Sequence, residues 1–137
     1  MQAQPQVRAP VNPSARLFTP LAVALHTLLF TPFVGSLIVV SNWTRVGEWQ
    51  RGVLSVVFGF VALIALGAVG AMMSPEVAVV GIGAGVLGLT IGWYSEQVPL
   101  FETHKTVGGE TASAWPFTLV GVLVLTAFGA AYRLVFG

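Results

Sequence analysis

Cysteine and aspartate are both missing from this chain of 137 residues, and lysine occurs once. Without cysteine there is no disulfide, no thiolate metal site, no iron–sulfur cluster and no thiol redox chemistry. Without aspartate no Ser/His/Asp triad can be assembled, and His26 and His104 have no evident partner in the sequence. There is no His-x-x-x-His spacing and no close pair of carboxylates inside an apolar segment. No catalytic residue, metal or cofactor is therefore expected. Charge is scarce as well: 8% of residues are Asp, Glu, Lys or Arg, against about 25% in ordinary soluble domains. A soluble fold could not solvate its surface with so few. The net charge of +1 implies neither a nucleic-acid partner nor an acidic tail.

What is abundant is hydrocarbon. Hydrophobic residues make up 55% of the chain and gather into four stretches, about residues 20–41, 53–73, 75–93 and 116–136. Each is near the roughly 20 residues that a helix needs to cross about 30 Å of bilayer core. His26 is the only ionisable group deep inside any of them. The expected fold is an all-α membrane protein, a four-helix bundle of two antiparallel hairpins with both termini on one side. A Gln/Pro/Arg-rich arm without periodicity, residues 1–16, precedes a transmembrane domain over 17–137 and is expected to be disordered. The apolar run after Arg8 and Arg16 is about twice a signal peptide's usual 7–15 residues, with no clear cleavage pattern, so it is read as retained.

Helix starts are marked by Thr19-Pro20, Ser74-Pro75-Glu76 and Trp115-Pro116, each placing proline where no N–H is needed. The second leaves almost no loop between spans two and three. Residues 42–52 form a short polar connection with Arg45, Glu48 and Arg51. Residues 95–114 form the longest, with Glu96, Glu102, His104, Lys105, Glu110 and a Gly108-Gly109 turn. This second connection is read either as a partner contact or as a slack tether. Trp43, Trp49, Trp93 and Trp115 all fall near the same side, which suits interfacial anchors. Basic residues tie between the sides: Arg8, Arg16 and Arg133 against Arg45, Arg51 and Lys105. Because the first span often dominates, the termini are expected in the cytoplasm.

Span three carries Gly81, Gly85, Gly88 and Gly92, two G-x-x-x-G spacings that let helix backbones approach. Packing within the chain, against Gly59, Gly67 and Gly70 or against Gly121 and Gly129, is expected ahead of a dimer seam. A G-x-G-x-x-G match at 83–88 lies inside an apolar span and lacks the strand that a nucleotide site needs. His26 invites a haem or proton-relay role. The favoured reading is a neutral histidine hydrogen-bonded to a neighbour. Pro32 is expected to kink span one, with Thr27, Thr31 and Gly35 sharing one face and Ser36 close by. Asn42 is read as a helix C-terminal residue.

Pro32 and Gly35 followed by Asn42, Trp43, Arg45 and Gly47 resemble the first hairpin of short, uncharacterised bacterial multi-span inner-membrane proteins. The likeness covers roughly a fifth of the chain and implies a bacterial inner-membrane setting without implying an activity. Length and span number are similar to those of small multidrug-resistance exporters, but their first span holds a glutamate where this one has only His26. That departure removes the basis for proton-coupled cation export. The expected function is a non-catalytic accessory or assembly subunit of a membrane complex. It would contact the lipid bilayer, with a membrane-protein partner or self-association through span three. The alternatives are an oligomeric small-solute transporter or channel, and a haem-binding electron-transfer protein.

Overall fold

The computed structural model describes residues 14–136. Among them are five helices and no strand: α1 (Pro20–Leu29), α2 (Pro32–Arg45), α3 (Trp49–Met72), α4 (Pro75–Thr106) and α5 (Trp115–Phe136). Much of the expected disordered arm lies outside the described residues, but its last members, residues 14–16, are placed.

The expected first span is two helices, and the reason lies at Thr31-Pro32. Proline pushes the residue before it into extended backbone, which ends a helix there. Thr31 is extended (φ −163°, ψ 160°), so α1 stops at Leu29. Its hydroxyl then accepts from the Val34 N–H at 3.2 Å and caps α2, with Pro32 in the first turn. The outcome is a reversal of direction rather than a kink. The start of α1 lies beside the end of α2: the Phe18 N–H donates to Asn42 Oδ1 at 2.8 Å. At the tip, Thr27 lies across the hairpin from Gly35, where an added Cβ would sit 1.9 Å from Thr27 Oγ1. The two helices are about 15 and 21 Å long.

A second correction concerns residues 95–106, expected as loop. They extend α4 to 32 residues, about 48 Å. Their apolar and amide residues recur on one face, and Gln97, Leu100 and His104 are buried. Pro99 sits inside this helix, where it cannot donate to the Ser95 carbonyl. Both residues are exposed, so solvent can take the missing partner's place. Only 107–114 remains as loop. Gly108 turns it with φ +81°.

The hairpin is packed mainly by α3 and α4. On α3 the buried residues are Gly52, Ser55 and Gly59, one stripe of small side chains. An added Cβ at Gly52 would meet Val40 of α2 at 2.7 Å, and one at Gly59 would meet Ser36 at 2.7 Å. The backbones of α2 and α3 can approach only because those side chains are missing. The hydrophobic core joins Leu17, Phe18 and Val23 to Ile38, Val39, Trp43 and Val46, and to Trp93 and Leu100 of α4.

α5 runs in the same direction as α1. Phe18 meets Phe117 edge-on at 5.1 Å, His26 meets Thr118, and Gly121 lies against the Phe30 ring. α1 stops there and α5 continues. The expectation of both termini on one side therefore fails for the described chain. Leu17 and the α5 start mark one end of the molecule, called proximal here. The Met72–Pro75 turn and the α5 terminus mark the other, distal end. α3 and α4 are each long and apolar enough to cross a membrane. α1 is a shorter apolar helix, as is the Trp115–Ala131 part of α5. Helices of spanning length and apolarity thus number two among the described residues, not four.

The tip contact gives a direct test. Gly35→Ala should destabilise the protein by about 1–3 kcal/mol through overpacking, and adding Thr27→Ala should restore part of the loss. Thermal unfolding of the single and double variants in mild detergent measures this. Full tolerance of Gly35→Ala would contradict the reversal.

Candidate functional site

The polar side chains of this protein gather at the proximal end, where the mouth of the hairpin closes. Asn42, in the last turns of α2, is 1% exposed. Its Nδ2 donates to the Phe18 carbonyl at 3.0 Å and to Gln97 Oε1 at 2.8 Å. Its Oδ1 accepts from the Phe18 N–H. One amide thus ties α2 to the entry of α1 and to α4. Above it, a short parallel bridge pairs Leu17 with Thr111. The Leu17 N–H donates to the Glu110 carbonyl at 3.1 Å, and the Ala112 N–H donates to the Leu17 carbonyl at 2.7 Å. Arg16 Nε donates to Glu110 Oε2 at 2.6 Å on the surface. The Arg45 guanidinium donates to the Arg16 carbonyl and lies 4.6 Å over the Phe18 ring.

His104 was expected in a loop. It lies in the last turn of α4, fully buried. Because a carbonyl only accepts, the 3.1 Å contact with the Glu110 carbonyl places the ring proton on Nε2. Nδ1 has no partner. Gly109 closes over this ring so tightly that an added Cβ would lie 2.2 Å from it. Gln97 Nε2 is also buried without a partner.

His26 occupies the interior of α1 and is 8% exposed. Its Nδ1 lies 2.7 Å from the Ala22 carbonyl, which assigns the proton to Nδ1. Nε2 then accepts from the Thr118 hydroxyl at 3.0 Å. Both ring nitrogens are engaged, so the ring keeps no lone pair for an iron atom while these bonds persist. The other hydroxyls near the tip satisfy their own helices: Thr27 donates to the Val23 carbonyl and Ser36 to the Phe33 carbonyl. A cavity of about 510 Å³ adjoins the tip. Phe30, Phe60, Ile64, Ile82 and Phe128 line it.

A third corner lies where α3 begins. Arg51 sits 5.0 Å over the Trp43 ring, and Arg51, Trp93 and Glu96 line an open cavity of about 550 Å³. Glu96 is one turn beyond the apolar stretch 75–93, and the residue as a whole is exposed. Burial of its carboxyl end raises its pKa, while the Arg51 charge and the Trp43 indole pull it back down. The indole N–H makes no hydrogen bond of good geometry, so its influence on the carboxylate is a near approach rather than a formed bond.

The residues singled out in the sequence are distributed differently from expectation. Trp49 and Trp115 are exposed, as anchors would be, but Trp43 and Trp93 are 5% and 6% exposed and belong to the core. Their indoles fill the volume between α2, α3 and α4. Of the α4 glycines only Gly85 packs against another of the described residues, Leu66. Gly81, Gly88 and Gly92 have nothing within 4 Å of an added Cβ. Asn42 was read as a helix end and Gly59 as a packing residue, but the Asn42–Gln97 pairing and the α3 stripe of Gly52, Ser55 and Gly59 as a unit were not read from the sequence. The stripe's 3–4 spacing was visible, whereas the Asn42–Gln97 pairing spans 55 residues and had no local mark.

Among the described residues no three metal-ligating side chains come together. The polar groups lock helices to one another. Comparison with known proteins returns no matching family model, no matching curated protein and no matching solved structure.

If Asn42 is the lock, Asn42→Ala should cost about 2–3 kcal/mol, because it leaves the buried Phe18 N–H unpaired. Asn42→Ala should lower the melting temperature in detergent far more than Ser113→Ala, an exposed change. Equal, small shifts would remove Asn42 from this role.

Proposed function

We propose that this chain is a non-catalytic accessory or assembly subunit of a membrane complex. In this reading α3, α4 and α5 cross the bilayer. The α1–α2 hairpin enters from the proximal side and returns to it, a re-entrant element. Non-spanning helices at membrane depth are tolerated where protein buries them and their backbone groups are satisfied. Val23, Val34, Ile38 and Val39 are fully buried, and the caps at Thr19 and Thr31 are made.

This topology resolves the tie in basic residues. Arg16, Arg45, Arg51 and Lys105 fall at the proximal end, and Arg133 at the distal end. The positive-inside rule then assigns the proximal face to the cytoplasm and the α5 terminus to the opposite side. A bacterial inner membrane suits the likeness of the 32–47 segment.

The observation that carries the assembly role is the open face of α4. Gly81, Gly88 and Gly92 present bare backbone with no neighbour among the described residues. In lipid, where apolar surface alone drives little association, such a face gains its packing from another helix. Large side chains elsewhere on α3 and α5, such as Leu54 and Leu123, are 67% and 68% exposed and suit acyl chains.

A second reading, an oligomeric small-solute channel or transporter, draws on the interrupted helix and the cavity at its tip. The cavity wall is mainly apolar, and Thr27 and Thr31 spend their hydroxyls on their own hairpin. Solute flux in proteoliposomes would favour this reading over the first.

Two experiments test the proposal. The chain lacks cysteine, so single cysteines report topology without background. Ser14→Cys and Thr44→Cys should label from the cytoplasmic face and Ser74→Cys from the other. A four-span chain would label Ser14 and Ser74 from the same face. Gly88→Leu should leave the chain's own melting temperature unchanged, since nothing contacts that site, yet strip a co-purifying protein. No co-purifying protein in mild detergent, or one that survives Gly88→Leu and Gly92→Leu together, would refute the assembly role.

A further inference from the structure

The mouth of the hairpin carries an open cavity of about 620 Å³ beside Arg16 and Arg45. Ser41, Ser113, Phe18 and Phe117 line it together with the two arginines.

The two guanidiniums are held in place but not consumed. Arg45 is fixed by its bond to the Arg16 carbonyl and by stacking on Phe18. Phe18 is in turn braced edge-on by Phe117. Arg16 is fixed through Nε by Glu110. The remaining N–H groups of both side chains have no protein partner among the described residues. Among the described residues Glu110 is the only acid bonded to either of them. The pocket therefore carries excess positive charge and unspent donors in the fork geometry that matches a phosphate. It opens beside Pro116, in the first turn of α5. That is headgroup depth if α5 crosses the bilayer, and exposed Trp115 marks the same level.

We propose that this cavity binds the headgroup phosphate of an anionic phospholipid of the cytoplasmic leaflet. Arg45 and Arg16 hold the phosphate, the Ser41 and Ser113 hydroxyls flank it, and Phe18 and Phe117 support the glycerol and the upper acyl chain. The inference rests on the membrane topology proposed above. A soluble anion would use the same guanidiniums but not the aromatic wall. The anionic leaflet is also the one that juxtamembrane arginines attract.

The test is tryptophan quenching by brominated lipids, with the full chain reconstituted in phosphatidylcholine vesicles. Brominated phosphatidylglycerol should reach half-maximal quenching at about a fivefold lower mole fraction than brominated phosphatidylcholine. Arg45→Gln and Arg16→Gln should each erase most of that preference. Arg51→Gln removes the same charge from the same face, away from the cavity, and should keep it. Ser113→Glu places a negative charge on the exposed rim and should also erase the preference, which answers the question if Arg45→Gln does not fold. Equal quenching by both lipids in the parent chain overturns the proposal. So does a loss in Arg51→Gln as large as in Arg45→Gln, which would mean general surface attraction. Millimolar inorganic phosphate that abolishes the preference would reassign the site to a soluble anion. A chain that enters neither kind of vesicle would instead overturn the topology on which the proposal stands.

Discussion

Everything in this structure follows from the demand that Pro32 places on Thr31. A proline in the middle of an apolar helix strains one backbone bond and removes another. Forcing its neighbour into extended backbone is a different and stronger instruction. Here that instruction coincides with a capping hydroxyl at Thr31 and small residues on both sides of the turn, at Thr27 and Gly35. The helix therefore ends and a new one starts in the opposite direction. One extended residue converts an apparent crossing into a buried hairpin, reverses the end of the molecule at which α5 finishes, and sets which charges share a face.

A hairpin of two short helices carries more helix ends per residue than one continuous helix, and each end exposes unpaired backbone groups. The chain meets this with local chemistry at the tip and long-range chemistry at the mouth. Thr19 and Thr31 cap the two starts, and hydroxyls along the helices bond back to their own carbonyls. At the mouth a single asparagine answers both backbone groups of Phe18. The division is physical. Near the tip the partners are carbonyls and N–H groups of the neighbouring turns, whereas the mouth recruits α4 and the 107–114 loop.

Helix content was legible from the apolar runs and the proline-bearing starts. The reversal was also written in the sequence, since Thr31-Pro32 repeats the dipeptide Thr19-Pro20. It was masked because residues 20–41 together have the length of one crossing, and periodicity cannot separate one long apolar helix from two short ones. The α4 extension was masked by Pro99 and by a polar composition that reads as loop. It becomes a helix because Gln97, Leu100 and His104 find the hairpin mouth. The glycines show the limit most plainly. The spacing at 81–92 and the spacing at 52–59 carry equal weight in sequence. Only the folded hairpin decides that α3 receives a neighbour within the chain and that most of the α4 stripe does not.

The bridge between Leu17 and the residues around Thr111 bears on how the molecule is made. The hairpin is translated first, but its lock is translated late: Gln97 follows Asn42 by 55 residues, and Glu110 follows Arg16 by 94. At about 5–20 residues per second, the ribosome needs about 5–19 seconds to supply that last partner. For that interval α1 and α2 stand as a short apolar pair with an unsealed mouth. An unfinished element has to persist until then, and the final fifth of the chain closes what the first fifth began.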